Sequence, residues 1–122
     1  MIPRRNFRSF IDGFGYAAKG LVESIRTQFN IRFHFAATII VTALALYVGL
    51  SMTEWCLIIL SIGLMWTTEL LNTAIEYLTD FVSPEYNDLA GKVKDIAAAA
   101  VLLAAIASAA VGLIVFIPKF FH

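Results

Sequence analysis

Glu69, Asn72, Glu76 and Asp80 punctuate an otherwise apolar segment, Trp55 to Val82, in the run Glu69-Leu-Leu-Asn72-Thr-Ala-Ile-Glu76-Tyr-Leu-Thr-Asp80. At about 100° per residue, offsets of 0, 3, 7 and 11 fall within about a quarter of a helix circumference. Three carboxylates and an amide therefore share one stripe. Ionisable groups inside a membrane span are expensive and by default mark a working site, so the stripe points to an enzyme.

The rest of the chain supplies the membrane. Its 122 residues are 60% hydrophobic and 15% charged, with a mean hydropathy of +0.80. Soluble domains are nearer half apolar and a quarter charged. Length allows a single small domain, residues 1–122, and composition places it in a bilayer. Nine basic and nine acidic residues cancel, so net charge gives no sign of nucleic-acid binding. The single cysteine, Cys56, can form no intrachain disulfide and reads as a small buried or lipid-facing hydrophobe. The N-terminal residues lack a short apolar core with a small-residue cleavage site, so the spans themselves are expected to direct insertion.

Four elements are expected. In residues 1–30, Phe7, Phe10, Ile11, Phe14 and Ala18 recur at helical spacing with basic residues on other faces. That pattern predicts an amphipathic helix on the membrane surface, with a break near Gly13–Gly15. Three transmembrane helices follow at 33–50, 55–82 and 96–117, each near the roughly 20 apolar residues that cross a bilayer core. Ser83-Pro84-Glu85 reads as an N-cap, a first-turn proline and a first-turn acid, opening a short helix that Gly91 would end. Arg4, Arg5, Arg8, Lys19, Arg26 and Arg32 precede the first span, and Lys92 and Lys94 lie between the second and third. The positive-inside rule therefore turns the N-terminus and the 83–95 segment to the cytoplasm, with Lys119 dissenting. The run Ala97–Ala100, then Ala104, Ala105 and Ala107–Ala110 broken by Ser108, is expected to pack closely. Three thin helices enclose a polar stripe poorly, so oligomerisation is expected.

With that topology the stripe descends from the cytoplasmic surface, Glu69 lying about 10 Å below Glu76 along the axis. Lys94 and Asp95 reach the same level, as do Tyr16, Lys19, Glu23 and Gln28. Carboxylates beside a lysine can hold Mg2+ and phosphate together, because Mg2+ takes one or two carboxylates and completes its shell with water and phosphate oxygens. No GxxxxGK(S/T) loop, HExxH or CxxC occurs, which excludes a P-loop and argues against zinc. His34 and His122 are isolated in sequence, and His34 is expected to hydrogen-bond near the interface. Spacing alone leaves three uses for the stripe: catalysis, an ion or proton pathway, or polar contacts between helices.

The motif itself is more specific. Glu69 to Asp80 resembles the E-x-x-N-(S/T)-(S/A)-x-E-x-x-x-D pattern of the prokaryotic diacylglycerol kinase and undecaprenol kinase family, with every fixed position present. Gly15-Tyr16, Lys19-Gly20, Ser83-Pro84-Glu85-Tyr86 and Ala90-Gly91-Lys92-Val93-Lys94-Asp95 extend the resemblance over residues 10–118. It implies an all-α, homotrimeric membrane protein: a surface helix plus three transmembrane helices per subunit, with active sites composed between subunits. The implied activity transfers the γ-phosphate of MgATP to a lipid hydroxyl at the cytoplasmic face of the bacterial membrane. By position, Glu69 matches the general base and Asn72 the residue that orients it or the acceptor. Glu76 matches a metal-binding carboxylate, and Lys94, Asp95 and Asp80 fall at the nucleotide site. Glu85, Tyr86 and Asn87 fall where the family meets the nucleoside, with Tyr16 and Lys19 nearby.

One position departs from the pattern. The family's second metal carboxylate aligns with Gln28, whose amide oxygen ligates without charge; weaker Mg2+ binding is the consequence. Arg5 and Arg8 are candidates for the N-terminal basic contact to the nucleotide. Asn30-Ile-Arg32-Phe-His34, Ser83-Pro84-Glu85-Tyr86 and Phe116-Ile-Pro118-Lys119 resemble the undecaprenol branch, which makes undecaprenol the favoured acceptor and diacylglycerol the alternative. A competing class, a small ion or proton transporter, needs a polar route to the far side. The segment from Trp55 to Trp66 offers it only Ser61.

Overall fold

A computed structural model describes residues 6–121. Four helices follow one another: α1 (Phe7–Thr27), α2 (Phe29–Val48), α3 (Met52–Val82) and α4 (Asp88–Phe120), with no strand among the described residues. The last three are each long and apolar enough to cross a membrane. Ile40, Leu60, Leu103 and Ile114 turn large side chains outward, the surface of a bundle bathed in lipid. The chain is thus an all-helical membrane protein.

Length decides where the polar half of α3 goes. Its 31 residues span about 46 Å at 1.5 Å per residue, well beyond a hydrocarbon core of about 30 Å. The polar end, Glu69 to Asp80, therefore extends toward or past the membrane boundary. α3 packs along much of α4 and more sparsely against α2. Within the alanine run only Ala97 and Ala104 are buried, whereas Ala98–Ala100, Ala107, Ala109 and Ala110 are exposed in a single chain.

α1 is continuous through Gly13 and Gly15, so the break expected there does not form. A helical glycine costs about 1 kcal/mol relative to alanine, too little here to interrupt the helix. The Asn6 side chain caps it by accepting from the Ser9 amide at 2.9 Å. Phe10 and Phe14 meet edge to face at 5.3 Å across Gly13. No α1 residue is buried. The bend into α2 falls at Gln28, whose extended backbone (φ −111°, ψ 117°) ends one helix and caps the next.

At the far end of the bundle, Gly49 takes φ +75°, the left-handed conformation open to glycine, and turns the chain from α2 toward α3. Ser51 and Glu54 form a reciprocal capping box at 3.1 and 2.8 Å. Lys119 pairs with Glu54 at 2.9 Å. The cation that dissents from the charge bias is thus paired with an acid at its own end.

The segment after α3 also departs from expectation. Ser83 terminates α3, its amide donating to the Thr79 carbonyl at 2.8 Å, and no helix starts at Pro84. The Ser83 hydroxyl is held locally, donating to the Glu85 carbonyl at 3.0 Å and accepting from Asn87 at 2.5 Å. Asn87 caps α4 instead, accepting from the Ala90 amide at 2.9 Å. Gly91 lies in the first turns of α4 and ends nothing. Its bare Cα makes room for the Tyr86 ring, which a Cβ would approach to 3.2 Å.

Candidate active site

The stripe on α3 grades from buried to exposed. Glu69 is 4% accessible and Thr73 is buried beside it; Asn72 and Glu76 are half-buried, and Asp80 is exposed. The innermost carboxylate has a partner from another helix. His34 Nε2 lies 3.3 Å from Glu69 Oε1. His34 was expected only to bond near the interface, and nothing in the sequence pairs it with Glu69. Its one available signal is position, as the sole imidazole in the opening turns of the first span.

A polar chain fixes this part of α2 against α3. Trp66 Nε1 donates to Thr38 Oγ1 at 2.8 Å, and Thr38 Oγ1 donates to the His34 carbonyl at 2.7 Å. Toward the surface, Asn72 Nδ2 donates to Glu76 Oε1 at 3.2 Å. Lys94 Nζ donates to Asp80 Oδ1 at 2.6 Å, linking the end of α3 to the start of α4. Both side chains of that pair are exposed, where solvent screening leaves an ion pair worth little.

Of the other residues singled out, Gln28 reaches α3 by donating from Nε2 to the Tyr77 hydroxyl at 2.8 Å. Tyr86 lies over Gly91, Asn87 caps α4, and Glu85 and Asp95 are exposed. Tyr16, Lys19 and Arg8 are exposed on α1 and make no hydrogen bond or ion pair among the described residues. The subunit thus brings Glu69, Asn72, Glu76, Asp80 and Lys94 into one line, with Gln28 tied to its flank. It leaves Tyr16 and Lys19 apart from that line. Arg5 and His122 lie outside the described residues.

The donors suit a hard cation. Asn72 Oδ1 is buried without a hydrogen-bond partner. Buried polar oxygens are normally satisfied, so this one calls for a donor or a cation. The Glu76 carboxylate is bonded to the nitrogen of the same amide, and Gln28, bound through its own nitrogen to Tyr77, keeps its amide oxygen free. Carboxylate and amide oxygens are the donors that Mg2+ takes, and it needs few of them from the protein. Among the described residues no group of three or more His, Cys, Asp or Glu is arranged to hold a metal.

Deeper in the membrane the polar line stops. The Ser61 carbonyl accepts from Ser108 Oγ at 3.3 Å, a contact between α3 and α4. An apolar groove of about 410 Å3 lies among α2, α3 and α4. It runs from His34 and Trp66 at one end toward Leu44, Ile58 and Phe116 at the other. His34 joins the two features: it lines the head of the apolar groove and contacts the buried Glu69, from which acid, amide and lysine groups rise to the surface.

Comparison with known proteins specifies the class. The family profile described as prokaryotic diacylglycerol kinase matches residues 15–116. The chain is 41% identical over 116 residues to the undecaprenol kinase of Bacillus subtilis (strain 168), covering 95% of this chain and 94% of that one. It is 33% identical over 100 residues to the diacylglycerol kinase of Escherichia coli (strain K12), covering 82% of each. A diacylglycerol kinase of Synechocystis is 42% identical over 101 residues, covering 81% of this chain and 57% of that one. The chain belongs to the prokaryotic diacylglycerol kinase family. It is a membrane lipid kinase, a phosphotransferase that uses ATP and a lipid alcohol.

Proposed function

We propose that this kinase, acting as one domain over residues 1–122, phosphorylates undecaprenol in preference to diacylglycerol. The observation that carries the reading is Glu69, buried against His34, which lines one end of the apolar groove. A single long lipid chain lying in that groove would bring its terminal hydroxyl to the carboxylate. Similarity to the Bacillus subtilis undecaprenol kinase over nearly the whole chain supports the same acceptor. So do Asn30-Ile-Arg32-Phe-His34 and Phe116-Ile-Pro118-Lys119.

In the proposed reaction Glu69 takes the proton as the lipid oxygen attacks the γ-phosphorus. The new O–P bond forms while the bond to the β–γ bridging oxygen breaks, and ADP leaves with that electron pair. Asn72 orients the site through its bond to Glu76. Lys94 moves from Asp80 toward the phosphates, and Asp80 and Asp95 frame the nucleotide end. Glu85, Tyr86 and Asn87 receive the nucleoside. Glu76, Gln28 and the free Asn72 oxygen would hold Mg2+, which when bound neutralises charge on the β- and γ-phosphates. Positioning and neutralisation are most of what phosphoryl transfer requires.

Tyr16 and Lys19, exposed on a helix that buries none of its own residues, favour sites completed by a neighbouring subunit of a homotrimer. The basic residues before α2 and beside Lys94, with Lys119 paired to Glu54, favour a cytoplasmic N-terminus and active site. Transfer of phosphate from MgATP in mixed micelles, with undecaprenol and diacylglycerol offered separately, tests the acceptor. The expected result is a higher kcat/KM for undecaprenol, and equal or reversed preference would sink that assignment.

Gln28 carries a prediction of its own. Gln28→Glu should tighten Mg2+ activation about tenfold, the scale on which a ligand's charge alters divalent binding. The Tyr77 hydroxyl can donate to the new carboxylate, so the bend between α1 and α2 is expected to hold. A Mg2+ titration of turnover that does not change would remove Gln28 from the metal site.

A further inference from the structure

We infer that His34 is the positioning residue for Glu69, holding one carboxylate oxygen so that the other faces the acceptor hydroxyl. The inference rests on the reading of Glu69 as the base. A carboxylate only accepts, so the contact at 3.3 Å requires the proton on His34 Nε2. The side chains are 17% and 6% accessible, which leaves water little access to replace the bond. Glu69 otherwise stands on α3 with no second hydrogen-bonding side chain recorded among the described residues. Unheld, its terminal torsion is broad and both oxygens wander.

His34 is itself fixed. Its carbonyl accepts from Thr38, which accepts from Trp66 on the helix that carries Glu69. The ring meets Phe33 edge to face at 5.6 Å. α2 is thus tied back to α3 within a turn of the imidazole, and a small displacement of a reacting group lowers rates severely. The imidazole also lines the groove head, which sets it between the groove and the carboxylate it contacts.

The test pairs two substitutions in the whole protein. His34→Leu removes the donor at similar volume, and His34→Gln returns an N–H near the position of Nε2. His34→Leu should lower kcat on the order of 10- to 100-fold, the loss expected when a hydrogen bond to a charged group goes. KM for MgATP should stay within about twofold, because the nucleotide residues lie toward the other end of the stripe. His34→Gln should recover most of the turnover. Wild-type kcat in His34→Leu, or a loss in His34→Gln as large as in His34→Leu, would overturn the inference. Imidazole 15N spectra of the full chain in detergent give a readout free of turnover. They should show a proton on His34 Nε2 and a resonance that moves in Glu69→Gln; an unmoved resonance overturns the contact. Wild-type protein with no kinase activity on either lipid would instead strike the assignment of Glu69 as base, and the spectra would still decide the contact.

Discussion

Glu69→Gln should lower lipid phosphorylation roughly a thousandfold, within the range of about 10²–10⁴ that a positioned general base contributes. The substitution changes little else. The amide keeps an oxygen where His34 Nε2 donates, and its volume matches, so the α2–α3 contact is expected to survive. What it loses is a group able to take the hydroxyl proton during attack. The loss should fall on kcat and leave KM for MgATP nearly unchanged, because Glu76, Asp80 and Lys94 are untouched. Steady-state kinetics in mixed micelles checks both, with the helical circular dichroism and melting of the variant compared to wild type. Turnover within about tenfold of wild type would place the base elsewhere.

The features behind that prediction were unequally readable in the chain. Glu69, Asn72, Glu76 and Asp80 announce themselves because helical periodicity is local and each is costly in an apolar run. The three spans are legible for the same reason, since crossing a bilayer demands a length of apolar sequence. The contact between His34 and Glu69 is not legible. It depends on the axial offset of α2 against α3, which no single helix's periodicity encodes. That offset is fixed by Trp66 donating to Thr38, a tertiary bond.

The misread segment has a different cause. Ser83-Pro84-Glu85 reads as a helix start, but serine and asparagine cap helices about equally well, so local propensity does not favour Ser83 over Asn87. Folding awards the cap to Asn87, because the Ser83 hydroxyl is engaged by Glu85 and Asn87. Gly91 then becomes a seat for Tyr86, a role visible only once the ring's place is known. The glycines of α1 mislead similarly, because spacing shows their flexibility and hides the Phe10–Phe14 contact that bridges Gly13.

Glu76→Gln should lower activity at low millimolar Mg2+ by at least about 100-fold, the upper end of the loss caused by removing even an outer partner of a bound metal. The argument is electrostatic. Asn72 Nδ2 can still donate to the amide oxygen, so the local turn is kept. The full negative charge bonded to the Asn72 amide is gone, and Gln28 supplies none in its place. If Glu76 and Gln28 hold the metal as proposed, this chain should depend more heavily on Glu76 than one with carboxylates at both positions. Raising Mg2+ should restore part of the lost turnover, because weakened binding is offset by mass action. Glu69→Gln should show no such recovery. A Mg2+ titration of both variants separates the two roles: recovery in neither would mean Glu76 acts in the chemical step, and recovery in both would mean Glu69 also holds the metal.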